Sequence, residues 1–188
     1  MIADAINDHI DSLSRPPTSP IEATIEELIE SGESADLEFK QTFRWDIDKG
    51  QPNKKMEEVI AKCVASFANS DGGTLLIGVH DTEGAVGLES DFSARGGDRD
   101  GFELALTNSL QNQFGTAFKA QRVKISFPTA NGVQICKIDV TRSPTLLPVE
   151  ITTKDGQKSK RIYVRSGNSS QELPGHEVQA YIAARATE

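Results

Sequence analysis

Three carboxylates in the first half of the chain occupy positions where folding could bring them together. Glu33 and Glu38 stand on either side of the start of a short apolar strand, and Asp81 follows a second, nearly continuous apolar run. Open sheets commonly place their binding sites at strand ends. Carboxylate oxygens are the ligands that Mg²⁺ and Mn²⁺ prefer, and such an ion stabilises phosphate charge and activates water. These residues suggest a metal site suited to phosphodiester chemistry.

Glu38 also begins the tripeptide Glu38-Phe39-Lys40, whose E-x-K form occurs in several metal-dependent nucleases. A tripeptide this short also arises by chance. Each carboxylate has a structural interpretation as well, in which Glu33 belongs to a turn at a helix end and Glu38 is an exposed strand residue. In that interpretation Asp81 simply begins a turn. The residues alone leave both interpretations open.

The distribution of basic residues points to a polyanion as the partner. The formal net charge is −8, yet residues 119–165 contain ten basic and three acidic residues. Local charge decides where a polyanion binds more than the total does, although the same bases could be solvated strand faces. The candidate nucleic-acid contacts are Arg122, Lys124, Lys158, Lys160, Arg161, Tyr163 and Arg165.

One strand in this basic segment suggests how the contact is made. Residues 161–165 alternate polar and apolar side chains, and Ile162 and Val164 are expected to face the core. Arg161, Tyr163 and Arg165 then share the other face, where a ring between two guanidinium groups suits phosphate contact with base stacking. Three exposed residues on an edge strand would give the same pattern.

Several other classes of chemistry have no support in the sequence. It contains neither a GxxxxGK[ST] phosphate-binding loop nor an HExxH motif, so we expect no nucleotide cofactor and no zinc protease. Two cysteines, Cys63 and Cys136, are too few for a Cys-based zinc site or a disulfide framework, so we expect no zinc and a cytoplasmic location. No apolar run approaches the ~18 residues that span a bilayer, so we expect no membrane partner.

The elements that must position these residues indicate an α+β domain. A chain of 188 residues suits one domain, and apolar spacing predicts helices over about 54–69, 100–113 and 174–184. A further helix is predicted to begin at Ser19, where Glu22 completes a capping box. The predicted strands, which would form a mixed sheet of about six strands flanked by helices, cover about 37–40, 74–79, 85–88, 121–127, 133–140 and 161–165.

The amino-terminal end differs from the rest. Apolar residues at helical spacing predict a short helical arm, and Pro16-Pro17 ends it, so residues 1–18 are interpreted as an arm and linker. Residues 19–188 are interpreted as the domain itself.

Three segments, taken in order, resemble the Schlafen AlbA-type domain family. They are GES followed by LEFK within residues 32–40, SFANSDGGTLLIGV over residues 66–79, and YVRSGNSS over residues 163–170. The resemblance covers about residues 24–185. It implies the fold of one lobe of the Schlafen core, and a nucleic-acid-binding function.

The resemblance also implies a metal site. In nuclease-active members of the family, two glutamates and an aspartate bind a divalent metal that supports phosphodiester cleavage. Glu33 and Glu38 match the spacing of the two glutamates, and Asp81 follows the strand that precedes the aspartate. Lys40 would lie beside the metal as a phosphate or transition-state contact. The implied cofactor is Mg²⁺ or Mn²⁺, bound by Glu33, Glu38 and Asp81.

The activity implied is that of a metal-dependent endonuclease acting on tRNA-like RNA or on single-stranded DNA, with RNA the favoured partner. The alternative is a non-catalytic DNA- or RNA-binding regulatory module, in which the acids are structural. Animal Schlafen proteins carry two lobes with a zinc site between them, whereas this chain has one lobe. We therefore expect that a homodimer, formed through the amino-terminal helix, rebuilds the two-lobed form.

Overall fold

Helices and strands are interspersed along the chain, and the α+β class predicted from the sequence is confirmed. The computed structural model describes residues 23–93 and 97–186, so the predicted arm over residues 1–18 lies outside the described residues. The helices of the described part are α1 (Ile25–Ser31), α2 (Lys55–Asn69), α3 (Glu89–Ser93), α4 (Arg99–Phe114), α5 (Thr116–Arg122) and α6 (Val178–Arg185). No helix in that part is long and apolar enough to cross a membrane.

The strands of the described part form two larger sheets and three small hairpins. The larger sheets contain β1 (Leu37–Lys40), β4 (Gly73–Ile77), β7 (Val123–Ser126), β10 (Cys136–Val140), β11 (Pro148–Thr152), β12 (Lys158–Ser166) and β13 (Ser169–Glu172). The hairpins pair β2 (Trp45–Asp46) with β3 (Gln51–Pro52), β5 (Val79–His80) with β6 (Gly84–Ala85), and β8 (Thr129–Ala130) with β9 (Val133–Gln134).

The first sheet is mixed and has the strand order β1-β4-β10-β7. Strand β1 runs parallel to β4, and the two remaining pairings are antiparallel. Strand β4 is covered on both faces, since Leu75 and Ile77 pack against α2 while Leu76 packs on the opposite side. This burial explains why the sequence of β4 is an almost unbroken apolar run.

The second sheet is antiparallel, with the strand order β11-β12-β13, and helix α2 lies between the two sheets. Ile60, Val64 and Phe67 of α2 face the four-stranded sheet. Ala61 and Ala65 face the three-stranded sheet. The sequence predicted one sheet of about six strands. The structure divides the strands between two sheets because α2 is apolar on two faces and buries each against a separate sheet.

Helix α1 covers the opposite face of the four-stranded sheet, where Ile25, Leu28 and Ile29 pack against the core. The helix begins after Thr24 rather than at Ser19 as predicted. Thr24 has an extended backbone, and its side chain and that of Glu27 form a reciprocal capping box. The Ser/Thr-x-x-Glu pattern occurs twice in succession in the sequence, and the helix follows the second one. Ser19 and Glu22, which form the first, lie outside the described residues.

The Gly72-Gly73 pair lets β4 begin directly beneath α2. A Cβ atom on Gly73 would lie 2.3 Å from the Phe67 ring, and one on Gly72 would lie 2.7 Å from the Val140 carbonyl oxygen. Gly72 also has a φ of 90°, a conformation that glycine adopts readily. These two glycines fix the distance between α2 and the four-stranded sheet.

Asn69, the last residue of α2, fastens the three-stranded sheet to the helix. Its side chain has no exposed surface. The Asn69 amide nitrogen donates to the carbonyl oxygens of Leu147 and Tyr163 at 3.0 and 2.9 Å, and its amide oxygen accepts from the Leu147 N–H at 2.7 Å. One side chain therefore satisfies three backbone groups of Leu147 and Tyr163, which lie before β11 and in β12.

We expect the substitution Asn69→Ala to lower the free energy of unfolding by about 2–4 kcal/mol, because three backbone groups, one of them fully buried, lose their partner. Urea denaturation followed by circular dichroism measures the change. Asn112→Ala, on the exposed side of α4, is the matched control and is expected to change stability by less than about 0.5 kcal/mol. Equal effects for the two variants would contradict the role given to Asn69.

Candidate functional site

Glu38 is a carboxylate held inside the protein. Along β1, Leu37 and Phe39 pack on the α1 side, so the alternation of a strand turns Glu38 and Lys40 toward α2. Glu38 is 7% exposed and stands opposite Leu75 of β4. A buried carboxylate needs charged or hydrogen-bonding partners, and they come from the far end of the chain.

Arg165 of β12 is the main partner of Glu38. Its side chain is 3% exposed, and its Nη1 lies 2.5 Å from Glu38 Oε2. Its Nη2 donates to the Ser34 carbonyl oxygen at 2.6 Å, and its Nε donates to the Ala35 carbonyl oxygen at 3.1 Å. One guanidinium group thus binds the carboxylate and the loop that leads into β1.

The rest of the Arg165 pocket comes from α2 and β13. The guanidinium lies 4.7 Å from the centre of the Phe67 ring, a cation–π contact. Its Nη1 also donates to Ser170 Oγ at 3.4 Å, and Ser170 Oγ lies 2.8 Å from Ser66 Oγ. Burial raises the pKa of the neighbouring Cys63 thiol to about 11, so this thiol adds no charge at neutral pH.

Lys40 provides the second cation. Its Nζ hydrogen-bonds the other Glu38 oxygen, Oε1, and lies 3.9 Å from Glu33 Oε1. Burial alone would lower the pKa of the Lys40 ammonium, but the hydrogen bond to Glu38 and nearby negative charge leave that pKa raised. Glu33 also accepts the Phe39 N–H at 2.8 Å, so its carboxylate caps the open edge of β1.

This arrangement does not fit a divalent metal. Glu33 and Glu38 are balanced by Lys40 and Arg165, and each oxygen of Glu38 already has a cation as its partner. Asp81 lies exposed in the turn after β5. Within residues 23–93 and 97–186, no group of three or more His, Cys, Asp or Glu side chains could hold a metal ion. The predicted metal site stays a prediction that this geometry does not support.

The polar face of β12 points inward, so the expectation that Tyr163 and Arg165 are open to solvent is wrong. Tyr163 is 7% exposed and packs against Ala61 and Ala65 of α2. Val164 is buried as expected, at 8%. Alternation shows that Arg161, Tyr163 and Arg165 share a face, but β12 is covered on both faces at this end. The Tyr163 ring is therefore not available for base stacking.

The other basic candidates lie in two separate regions of the fold. Lys158 and Lys160 are exposed on β12, where Lys158 Nζ lies 2.7 Å from a Glu150 carboxylate oxygen. Arg161, which is partly exposed, pairs with Glu172 at 2.6 Å. Arg122 ends α5 and Lys124 is exposed on β7, the outer strand of the four-stranded sheet.

Residues 33–174, which include all of these groups, match the family model described as Schlafen, AlbA_2. The chain belongs to this family. The resemblance noted from three sequence segments is thereby confirmed, and family membership points to a function related to nucleic acids.

Two solved structures are similar to this Schlafen AlbA_2 domain. The DIP2311 protein from Corynebacterium diphtheriae is 18% identical, with a TM-score of 0.52 over 97% of this chain and 32% of that chain. This chain therefore spans about a third of the length of that protein, and the likeness concerns the fold.

The second is the N-terminal domain of a putative ATP-dependent DNA helicase RecG-related protein from Nitrosomonas europaea. It is 21% identical, with a TM-score of 0.45 over 82% of this chain and 97% of that chain. No curated protein matches the chain.

The AlbA_2 fold thus brings Glu33, Glu38 and Lys40 together and adds Arg165 to them, while Asp81 lies apart. Sequence reasoning placed Arg165 among nucleic-acid contacts and did not connect it to Glu38, because the two lie 127 residues apart. It also left out Lys154, which is exposed in the turn between β11 and β12. The charge of the basic segment was the available signal for Lys154.

Proposed function

We propose that this Schlafen AlbA_2 domain binds nucleic acid through the phosphate backbone, using the hairpin of β11 and β12. The observation that carries the proposal is the exposure of three lysines of this hairpin, Lys154 in its turn and Lys158 and Lys160 on β12. Lysine side chains that project from a hairpin are flexible point charges suited to phosphate contact.

The neighbouring acidic groups do not prevent this binding. Glu150 pairs with Lys158, but both side chains are exposed to solvent, Glu150 at 39% and Lys158 at 73%. Ion pairs this exposed contribute little, so a phosphate can replace the carboxylate at low energetic cost. The formal net charge of −8 disfavours contact with other surfaces and restricts the polyanion to the basic segment.

We propose RNA as the physiological partner, which the resemblance to the Schlafen family favours. Phosphate contacts by lysine position a nucleic acid without reading its bases. The inward Tyr163 ring removes the stacking contact that would have read single strands. We therefore expect broad binding to structured RNA, with DNA as a weaker ligand. The homodimer stays a prediction, and sedimentation at micromolar concentration tests it.

The endonuclease is the second candidate function. Glu33, Glu38 and Lys40, three of the residues that the resemblance assigns to a metal site, are in contact with one another, and this observation favours it. The cations at Glu38 and the separate position of Asp81 favour the non-catalytic alternative. Of the two, the geometry supports binding without cleavage better.

We expect the double substitution Lys158→Gln/Lys160→Gln to weaken binding to a mixed tRNA pool about tenfold at 50 mM salt. The slope of log K against log salt concentration is expected to fall by about 1.5, because two phosphate contacts no longer release counterions. Fluorescence anisotropy over a range of salt concentrations measures both, with single-stranded DNA as a parallel ligand.

The matched control is Lys49→Gln/Arg99→Gln, which removes two exposed positive charges outside residues 119–165. It is expected to leave the salt slope unchanged. The substitution Arg122→Gln/Lys124→Gln tests the competing face on the four-stranded sheet. An effect there, with none from the Lys158 and Lys160 variant, would move the interface to β7 and contradict the proposal.

Incubation of the tRNA pool with the wild-type protein and Mn²⁺ or Mg²⁺ is expected to leave the RNA intact, because both oxygens of Glu38 are held by cations. Denaturing gels compare these samples with samples that contain a chelator. Cuts that need the metal and disappear in Glu38→Gln would establish the endonuclease. They would also show that the arrangement around Glu38 changes when RNA or metal binds.

A further inference from the structure

Three oxygen atoms converge on one cation beside β1. They are the carbonyl oxygens of Ser34 and Ala35 and the Oε2 atom of Glu38, and they lie 2.6, 3.1 and 2.5 Å from nitrogens of Arg165. Carbonyl and carboxylate oxygens are also the ligands that divalent cations prefer. This group of three is called the oxygen cluster below.

We propose that Arg165 is the resident cation of the oxygen cluster and takes the position that a divalent ion would otherwise occupy at Glu38. In this role the carboxylate docks the three-stranded sheet onto β1. This role of Arg165 is independent of whether the hairpin lysines bind nucleic acid.

The geometry of the guanidinium group indicates that Arg165 occupies the oxygen cluster permanently. Each of its three nitrogens has an acceptor: Nε bonds Ala35, Nη2 bonds Ser34, and Nη1 bonds Glu38 and Ser170. The planar guanidinium group can donate to all of these acceptors with little loss of side-chain rotamer freedom per hydrogen bond. A lysine ammonium group cannot match this arrangement. The backbone N–H of Arg165 is also fixed, since it donates to Ser70 Oγ at 2.9 Å.

The packing around Arg165 opposes movement of its side chain out of the oxygen cluster. Its side chain is 3% exposed, and the ring of Phe67 lies 4.7 Å from its guanidinium carbon. A cation that is stacked, hydrogen-bonded and shielded from water is costly to remove, because the Oε2 atom of the buried Glu38 carboxylate would lose its charged partner. Lys40 differs, since 25% of its side chain is exposed and it reaches the other oxygen of Glu38.

Two consequences separate this role from a simple balance of charge. Removal of Arg165 leaves the Oε2 atom of Glu38 and two carbonyl oxygens without a cation, while Lys40 still binds Oε1. A divalent ion should therefore gain affinity for the oxygen cluster. Removal of Lys40 lowers the net charge by the same amount but leaves the oxygen cluster occupied, so the affinity should change little.

Isothermal titration of MnCl₂ into the purified full chain tests this role. For the wild type we expect no saturable binding below about 1 mM. For Arg165→Met we expect binding at least about tenfold tighter, lost again when Glu38→Gln is added. Lys40→Met and Arg165→Lys, which keeps the positive charge, are the matched controls, and neither is expected to gain affinity. Each variant is first shown to unfold cooperatively, and Arg165→Gln replaces Arg165→Met if the latter does not fold.

Three results would overturn the proposal. The first is saturable Mn²⁺ binding to the wild type that disappears in Glu38→Gln, because the metal would then displace Arg165 without difficulty. The second is a gain in Lys40→Met as large as that in Arg165→Met, which would make net charge the cause. The third is no gain in a folded variant that lacks the Arg165 charge. None of these results bears on the nucleic-acid affinity of Lys158 and Lys160, so the two proposals fail separately.

Discussion

The buried ion pair between Glu38 and Arg165 is the contact on which the rest of this structure depends. It joins the first strand of one sheet to the long strand of the other, across 127 residues of sequence. Burying two charges costs several kcal/mol in desolvation, and the cost is offset only when every remaining donor and acceptor is satisfied. Ser34, Ala35 and Ser170 supply those acceptors. The three family segments recognised in the sequence are the segments that this contact brings together.

The same contact explains how a carboxylate group typical of metal sites can serve a binding domain. Lys40 and Arg165 neutralise Glu38 and Glu33 inside the fold, while the lysines of the β11–β12 hairpin stay exposed. Strand β12 therefore contains both Arg165, whose charge stabilises the fold, and Lys158 and Lys160, whose charges are available to a phosphate backbone. Nucleic-acid binding and the absence of cleavage are proposals that follow from this division.

Local sequence predicted much of this fold and little of the pairing between distant segments. Helix α2 and strand β4 follow from the spacing of their apolar residues. The inward direction of Tyr163 does not, because a period of two defines two faces of a strand without saying which one meets the core. The partner of Glu38 could not be predicted either. Arginine is usually a surface residue, and the burial of Arg165 depends on a strand 127 residues away in the sequence.

A double-mutant cycle on the free energy of unfolding tests the central ion pair most directly. Glu38→Gln, Arg165→Met and the double variant would be compared with the wild type by urea denaturation. We expect each single substitution to cost about 3–5 kcal/mol and the coupling energy to be about 2 kcal/mol or more. A coupling energy below about 0.5 kcal/mol, with both single variants folded, would contradict the account. It would mean that Glu38 and Arg165 do not depend on each other.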